Sequence, residues 1–181
     1  MTRHLPNFAT LHERHRGLSP ALGAAYAEAA DVCLSRHHEP PVGVKVVAAE
    51  EVICTCEWSI PSERAQAAWN NDDDATRDAA YAVGLAALEL TTERVAIARA
   101  ETRTGADYYV NTPDRDRDLE TAQRLEVSGS DSGSDADLQK RLKKKLRQLK
   151  NGRSALPGTA CVVGFKACRV LLRDLEDSDA P

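Results

Sequence analysis

The sequence predicts an α/β domain, and three observations carry that expectation. Runs rich in Val, Ile, Tyr and Phe, several with two-residue alternation, fit strands at residues 42–47, 52–58, 105–110, 160–165 and 168–175. Alanine- and leucine-rich stretches with helical spacing of apolar residues lie among them, and from residue 75 the order is helix, strand, strand, helix, strand. The chain has 181 residues, 42% of them hydrophobic and 29% charged, which suits one folded domain with a substantial core.

Taken in order, residues 1–17 are polar and histidine-containing and read as a flexible N-terminal arm. Ser19 and Pro20 are an N-cap and N1 pair for a helix to about Arg36, whose face carries Leu22, Tyr26, Ala29 and Cys33 beside Ala25 and Val32. His37-His38-Glu39-Pro40-Pro41 ends it. The runs at 42–47 and 52–58 have a short link and predict a hairpin, which Pro61 stops. Asn70-Asn71-Asp72-Asp73-Asp74 starts the next helix, because acids there complement the positive end of its dipole. Over about 75–90 that helix is apolar on most sides and should be well buried.

A further strand is expected at 95–100, then a turn at 102–105, a strand from Gly105 and a charged loop at 111–120. The Ser/Gly-rich segment 128–134 reads as a loop, and a basic helix follows, ending near Asn151-Gly152. Pro157-Gly158 leads into the last two strands, and 176–181 is expected to be a disordered acidic tail. The predicted organisation is the arm 1–17, a single α/β domain over 18–175, and the tail 176–181.

Composition narrows the classes of function. No apolar run reaches the ~18 residues of a membrane helix and no signal-peptide core is seen, so no membrane partner is expected. The five cysteines are odd in number and lack metal-finger spacing. Cys54 and Cys56 share a strand face, where they read as small core residues in a reduced, cytoplasmic protein. The net charge of −4 does not itself advertise nucleic acid, but cations crowd residues 140–150 while 71–74 and 114–120 are acidic. Such a helix can face phosphates, or it can be the solvated side of a core helix.

Two motifs carry the chemistry. Gly105-Ala106-Asp107-Tyr108-Tyr109-Val110 places Asp107 and Tyr109 on one strand face, and Leu125-Glu126-Val127-Ser128-Gly129 does the same for Glu126 and Ser128. If the strands pair, the two carboxylates can converge on one hard divalent cation. The alternatives are a strand-end turn role for Asp107 and a salt bridge from Glu126 to Arg99 or Arg124.

In these motifs, their spacing and the flanking helices, the chain over about 75–175 resembles the PD-(D/E)xK, or restriction-endonuclease-like, nuclease superfamily. The resemblance implies a mixed β-sheet flanked by helices, with the N-terminal helix and hairpin as an extension. It implies Mg²⁺, with Mn²⁺ as a substitute, held by Asp107 and Glu126 for endonuclease or exonuclease cleavage of DNA or RNA in restriction, repair or anti-phage defence. One departure is plain: Ser128 stands where the family places lysine. The competing expectation is a catalytically silent subunit that binds nucleic acid or assembles into a larger protein complex.

Helical geometry locates a substitute for that lysine. Leu138, Leu142, Leu146 and Leu149 form the buried stripe of the basic helix. At roughly 100° per residue, Lys145 falls on the flank of that stripe with Arg141 beside it, while Lys140, Lys144 and Arg147 point away. Lys145 is therefore the first choice for an inward cation and Arg141 the second; Lys140, Lys143, Lys144 and Arg147 are expected at the phosphate backbone. The bland role for Lys145 is snorkelling at the core boundary. Asp78 or Glu89 could add a third acid. His12 and His15 have metal-pair spacing but no third ligand, and read as surface residues. Trp58 and Trp69 read as packing residues, and neither a serine triad nor a phosphate-cradling glycine loop is seen.

Overall fold

Residues 3–175 are described in the computed structural model; the segment 176–181, expected to be a disordered tail, lies outside them. The chain begins with β1 (Arg3–His4), a 3₁₀ turn (Phe8–Thr10) and the short helix α1 (Leu11–Arg14). Leu5, Phe8 and Leu11 are buried in the main core, so residues 3–17, expected as part of a flexible arm, pack against the domain. His15, expected at the surface, is fully buried: its Nδ1 accepts from the Ala96 N–H at 2.9 Å and its Nε2 lies 3.2 Å from Glu89. With the buried Leu18, these anchors fall three, three, four and three residues apart, a helix-like spacing that the polar composition of the segment obscures.

Helix α2 (Pro20–Ser35) starts as its cap predicts, with the Ser19 hydroxyl accepting from the Leu22 N–H. Strands β2 (Val42–Val47) and β3 (Glu51–Cys56) form the antiparallel hairpin, and β1 pairs parallel to β3. A short helix, α3 (Glu63–Ala68), follows; it is too brief to leave a periodic signature. In α4 (Asp72–Thr92) the Asn71 side chain accepts from the Asp73 and Asp74 N–H groups, and the middle of the helix is buried almost all round.

Strands β4 (Val95–Arg99), β5 (Tyr108–Asn111) and β6 (Gln123–Ser130) form an antiparallel meander. The segment from Ser128, expected as loop, continues β6 to Ser130, because Ser128, Gly129 and Ser130 pair with Val162, Val163 and Gly164. Helix α5 (Asp135–Asn151) then opens with a capping box between Ser134 and Asp137. It leads to β7 (Gly158–Gly164), parallel to β6, and β8 (Arg169–Asp174), antiparallel to β7.

The result is an α/β fold with one mixed eight-stranded sheet, order β1-β3-β2-β8-β7-β6-β5-β4, flanked by helices. The N-terminal hairpin is not a separate appendage, since β2 pairs with β8 and continues the sheet. Alternation along the central strands sorts the core: Leu125, Val127, Cys161 and Val163 pack in the cluster of α2 and α4, while Ala160 and Val162 pack beneath Leu138, Leu142 and Leu149 of α5. Gly129 allows α4 to lie directly on β6, where a Cβ would sit 2.4 Å from the Thr76 carbonyl oxygen. That close approach brings the N-terminal half of α4 to the same end of β6 as Glu126.

Candidate carboxylate and lysine site

Asp107 occupies the entrance to β5. Its N–H donates to the Leu125 carbonyl at 2.8 Å and its own carbonyl accepts from the Ala100 N–H at 3.0 Å, so the backbone is pinned on both sides. Beyond the Tyr108–Leu125 pair the ladder ends, and the Asp107 Oδ2 accepts the Val127 N–H at 2.8 Å. Its Oδ1 accepts from the Tyr81 hydroxyl at 2.7 Å. The strand-end role expected as an alternative for Asp107 is therefore present alongside its place in the site. The preceding turn needs Gly105: φ is +72°, and a Cβ would lie 2.5 Å from the Gln148 carbonyl oxygen on α5.

Glu126 sits inside β6, opposite Ala160 of β7, on the face covered by α5, and is 3% exposed. Lys145 reaches it from α5, with Nζ 2.5 Å from Oε1 and 3.3 Å from the Gln148 Oε1. Burial first, and the nearby Asp107 carboxylate second, push the Glu126 carboxyl up to about 7, against the opposing pull of Lys145. Neither arginine considered as its partner fills that role. Arg124 gives its N–H groups to the carbonyls of Leu156, Thr104 and Leu149, and Arg99 lies over the rings of Tyr81 and Tyr108, 4.8 and 4.6 Å from their centroids.

Tyr81 was not anticipated as a site residue. Burial, then the charge of Asp107, raise its hydroxyl well above the ordinary tyrosine range, so it remains a proton donor at neutral pH. The signal available was a hydroxyl within an otherwise apolar helix, a group that needs a partner when buried. A helix apolar on all sides gave no direction in which to look for one.

Asp107, Glu126, Lys145, Tyr81 and Gln148 line one pocket of about 520 Å³, which also includes Ser128 and Arg141. Lys140, Lys143, Lys144 and Arg147 are not brought to the carboxylates; they line an outer groove on α5. Glu89 is corrected as a third acid, because it pairs with Arg14 at 2.8 Å and with His15. Asp78 pairs with Arg77 at 2.9 Å and does not line the pocket. Trp58 and Trp69 pack against the core, with their N–H groups on Ser35 and Glu28.

Among the described residues no group of three or more His, Cys, Asp or Glu side chains is arranged to hold a metal. The two carboxylates that line one pocket nevertheless fit the donor chemistry of Mg²⁺, which takes one or two carboxylates and completes its shell with water and phosphate oxygens. No protein-family model, curated protein or solved structure matches the chain. Among the described residues no helix is long and apolar enough to cross a membrane.

Proposed function

We propose that this chain is a metal-dependent nuclease of PD-(D/E)xK-like architecture that hydrolyses phosphodiester bonds in DNA or RNA. The observation that carries the reading is the convergence of Asp107 and Glu126 on one pocket, with the Lys145 ammonium in contact with Glu126. The order α4–β4–β5–β6–α5–β7, with an antiparallel β5–β6 pair and a parallel β6–β7 pair, supports the same architecture. Five unpaired thiols suit a reducing compartment such as the cytoplasm.

Asp107 and Glu126 are the residues that would hold Mg²⁺ or Mn²⁺. When bound, such an ion polarises a phosphate oxygen and lowers the pKa of coordinated water. The Tyr81 hydroxyl and the Val127 N–H fix the Asp107 carboxylate in one orientation. Lys145 holds Glu126 and places a positive charge where negative charge grows on the phosphate, the task that the resemblance gives to a lysine at position 128. Gln148, one turn further along α5, steadies the Lys145 ammonium.

Ser128 favours a second reading, a silent subunit that binds nucleic acid within a larger complex, since a hydroxyl brings no charge to that position. Cleavage assays separate the two. The purified chain should cut DNA or RNA only with Mg²⁺ or Mn²⁺, and Asp107→Ala or Glu126→Ala should each lower the rate by ~10²-fold or more. A folded double mutant that cuts as fast as the wild type overturns the site. Binding without cleavage supports the silent subunit.

A further inference from the structure

We infer that Arg141 is the phosphate-contacting arginine of this site, aimed by Ser128, and that the nucleic-acid backbone runs from the outer face of α5 over Arg141 to the two carboxylates. This inference rests on the nuclease reading above. It gives Ser128 a function of its own: the hydroxyl holds the cation that carries out part of the missing lysine's work.

Three observations support it. The Arg141 Nη1 donates to the Ser128 Oγ at 3.2 Å, which ties an otherwise exposed side chain back to the strand that carries Glu126. Ser128 lies two residues beyond Glu126 and so on the same face of β6. A neutral hydroxyl orients the guanidinium without cancelling its charge and leaves most of its five N–H groups free, and that planar fork matches phosphate oxygens.

The second observation is electrostatic. Three cationic side chains line the pocket: Arg77, Arg141 and Lys145. Arg77 is bound to Asp74 at 3.0 Å and to Asp78 at 2.9 Å, and Lys145 is bound to Glu126. Arg141 takes part in no ion pair among the described residues. The acid one turn earlier on its own helix, Asp137, gives Oδ2 to the Ser134 N–H and hydroxyl at 2.9 and 2.6 Å. Arg141 is thus the pocket cation that no carboxylate of the described residues holds in an ion pair, although the Asp137 charge lies close enough to attract it.

The third observation is position. Arg141 lines both the carboxylate pocket and the outer groove that holds Lys140, Lys143, Lys144 and Arg147. From Lys140 to Arg147 the helix rises roughly 10 Å, and Arg141 joins that basic stripe to the site. Division of labour follows: Lys145 holds Glu126 and faces the charge that grows on the reacting phosphate, Arg141 grips phosphate oxygens through its fork, and the outer cations set affinity.

The test uses the full chain and a short fluorescein-labelled DNA, single-stranded and duplex, with Ca²⁺ present for binding and Mg²⁺ for cleavage. Arg141→Met should reduce the slope of log affinity against log salt by about one phosphate contact, ~0.7–0.9. It should also lower the rate at saturating substrate by ~10²-fold. Lys144→Met should reduce the salt slope similarly while its saturating rate falls far less. Arg141→Lys should restore the slope but not the rate, since the fork is lost. Ser128→Ala should lower the saturating rate with the salt slope intact, and Ser128→Thr should recover it. Equal rate losses in Arg141→Met and Lys144→Met, or an unchanged slope in Arg141→Met, overturn the inference while leaving the nuclease reading in place. A wild type that neither binds nor cuts these DNAs or their RNA counterparts overturns both.

Discussion

Glu126 is held in an environment that resists its charge. Its carboxyl is buried beside Asp107 and raised from 4.5 to about 7. The folded chain therefore binds more protons than the unfolded chain between those values. Stability from this group is complete below about 4.5 and is lost as pH rises through about 7. Thermal melts should show Glu126→Gln more stable than the wild type near pH 8, with the advantage vanishing below about pH 4.5; an offset independent of pH would contradict this origin. Tyr81→Phe should cost only about 1 kcal/mol, because the ring keeps its packing against Tyr26 and Tyr108 at 5.1 and 5.6 Å. Cleavage should nevertheless fall roughly tenfold as Asp107 loses its hydroxyl donor; an unchanged rate in single-turnover kinetics would deny Tyr81 that role. The directions of Asp107, Glu126 and Lys145 were legible, because alternation and helical angle assign each one. Tyr81 and His15 were not, since both depend on tertiary neighbours.

Among the elements, α5 shows how far periodicity reaches. Its leucine stripe fixes which side meets the sheet, and from that alone Lys145 is directed inward. Residues 128–130 show where composition misleads: Ser and Gly are common in loops, yet here they extend β6 because β7 offers a parallel partner along their whole length. Gly129 is there for space. Gly129→Ala should force α4 away from β6, since the added Cβ meets the Thr76 carbonyl oxygen, Thr76 Cγ2 at 2.8 Å and Ala80 Cβ at 3.0 Å. A loss of about 1–3 kcal/mol is expected, read as a lower urea midpoint with an unchanged m-value. An unaltered midpoint would mean that the helix can shift without cost. The N-terminal segment was the least legible element, because its apolar anchors are spread over loops and single helical turns and become meaningful only once β3 and α2 are in place.

In the whole molecule, the sheet extends beyond the segment 75–175 that carries Asp107, Glu126 and Lys145. β2 and β3 join through β8, and α2 packs with α4 in one core, so residues 3–70 support the wall behind Asp107. Tyr26 shows the link: its hydroxyl meets that of Tyr108 at 2.8 Å, and its ring packs on Tyr81, the donor to Asp107. If α5 delivers, as Lys145, the cation that the resemblance places at position 128, losing Lys145 should cost far more than losing its neighbour Lys144. Single-turnover cleavage of DNA and RNA at saturating protein with Mg²⁺, by the wild type, Lys145→Ala and Lys144→Ala, tests it most directly. Metal-dependent cleavage by the wild type is expected, with a loss of ~10²-fold or more for Lys145→Ala and a much smaller loss for Lys144→Ala, although each removes one charge from the same helix. Equal losses, or a wild type that gains cleavage only after Ser128→Lys, would contradict it.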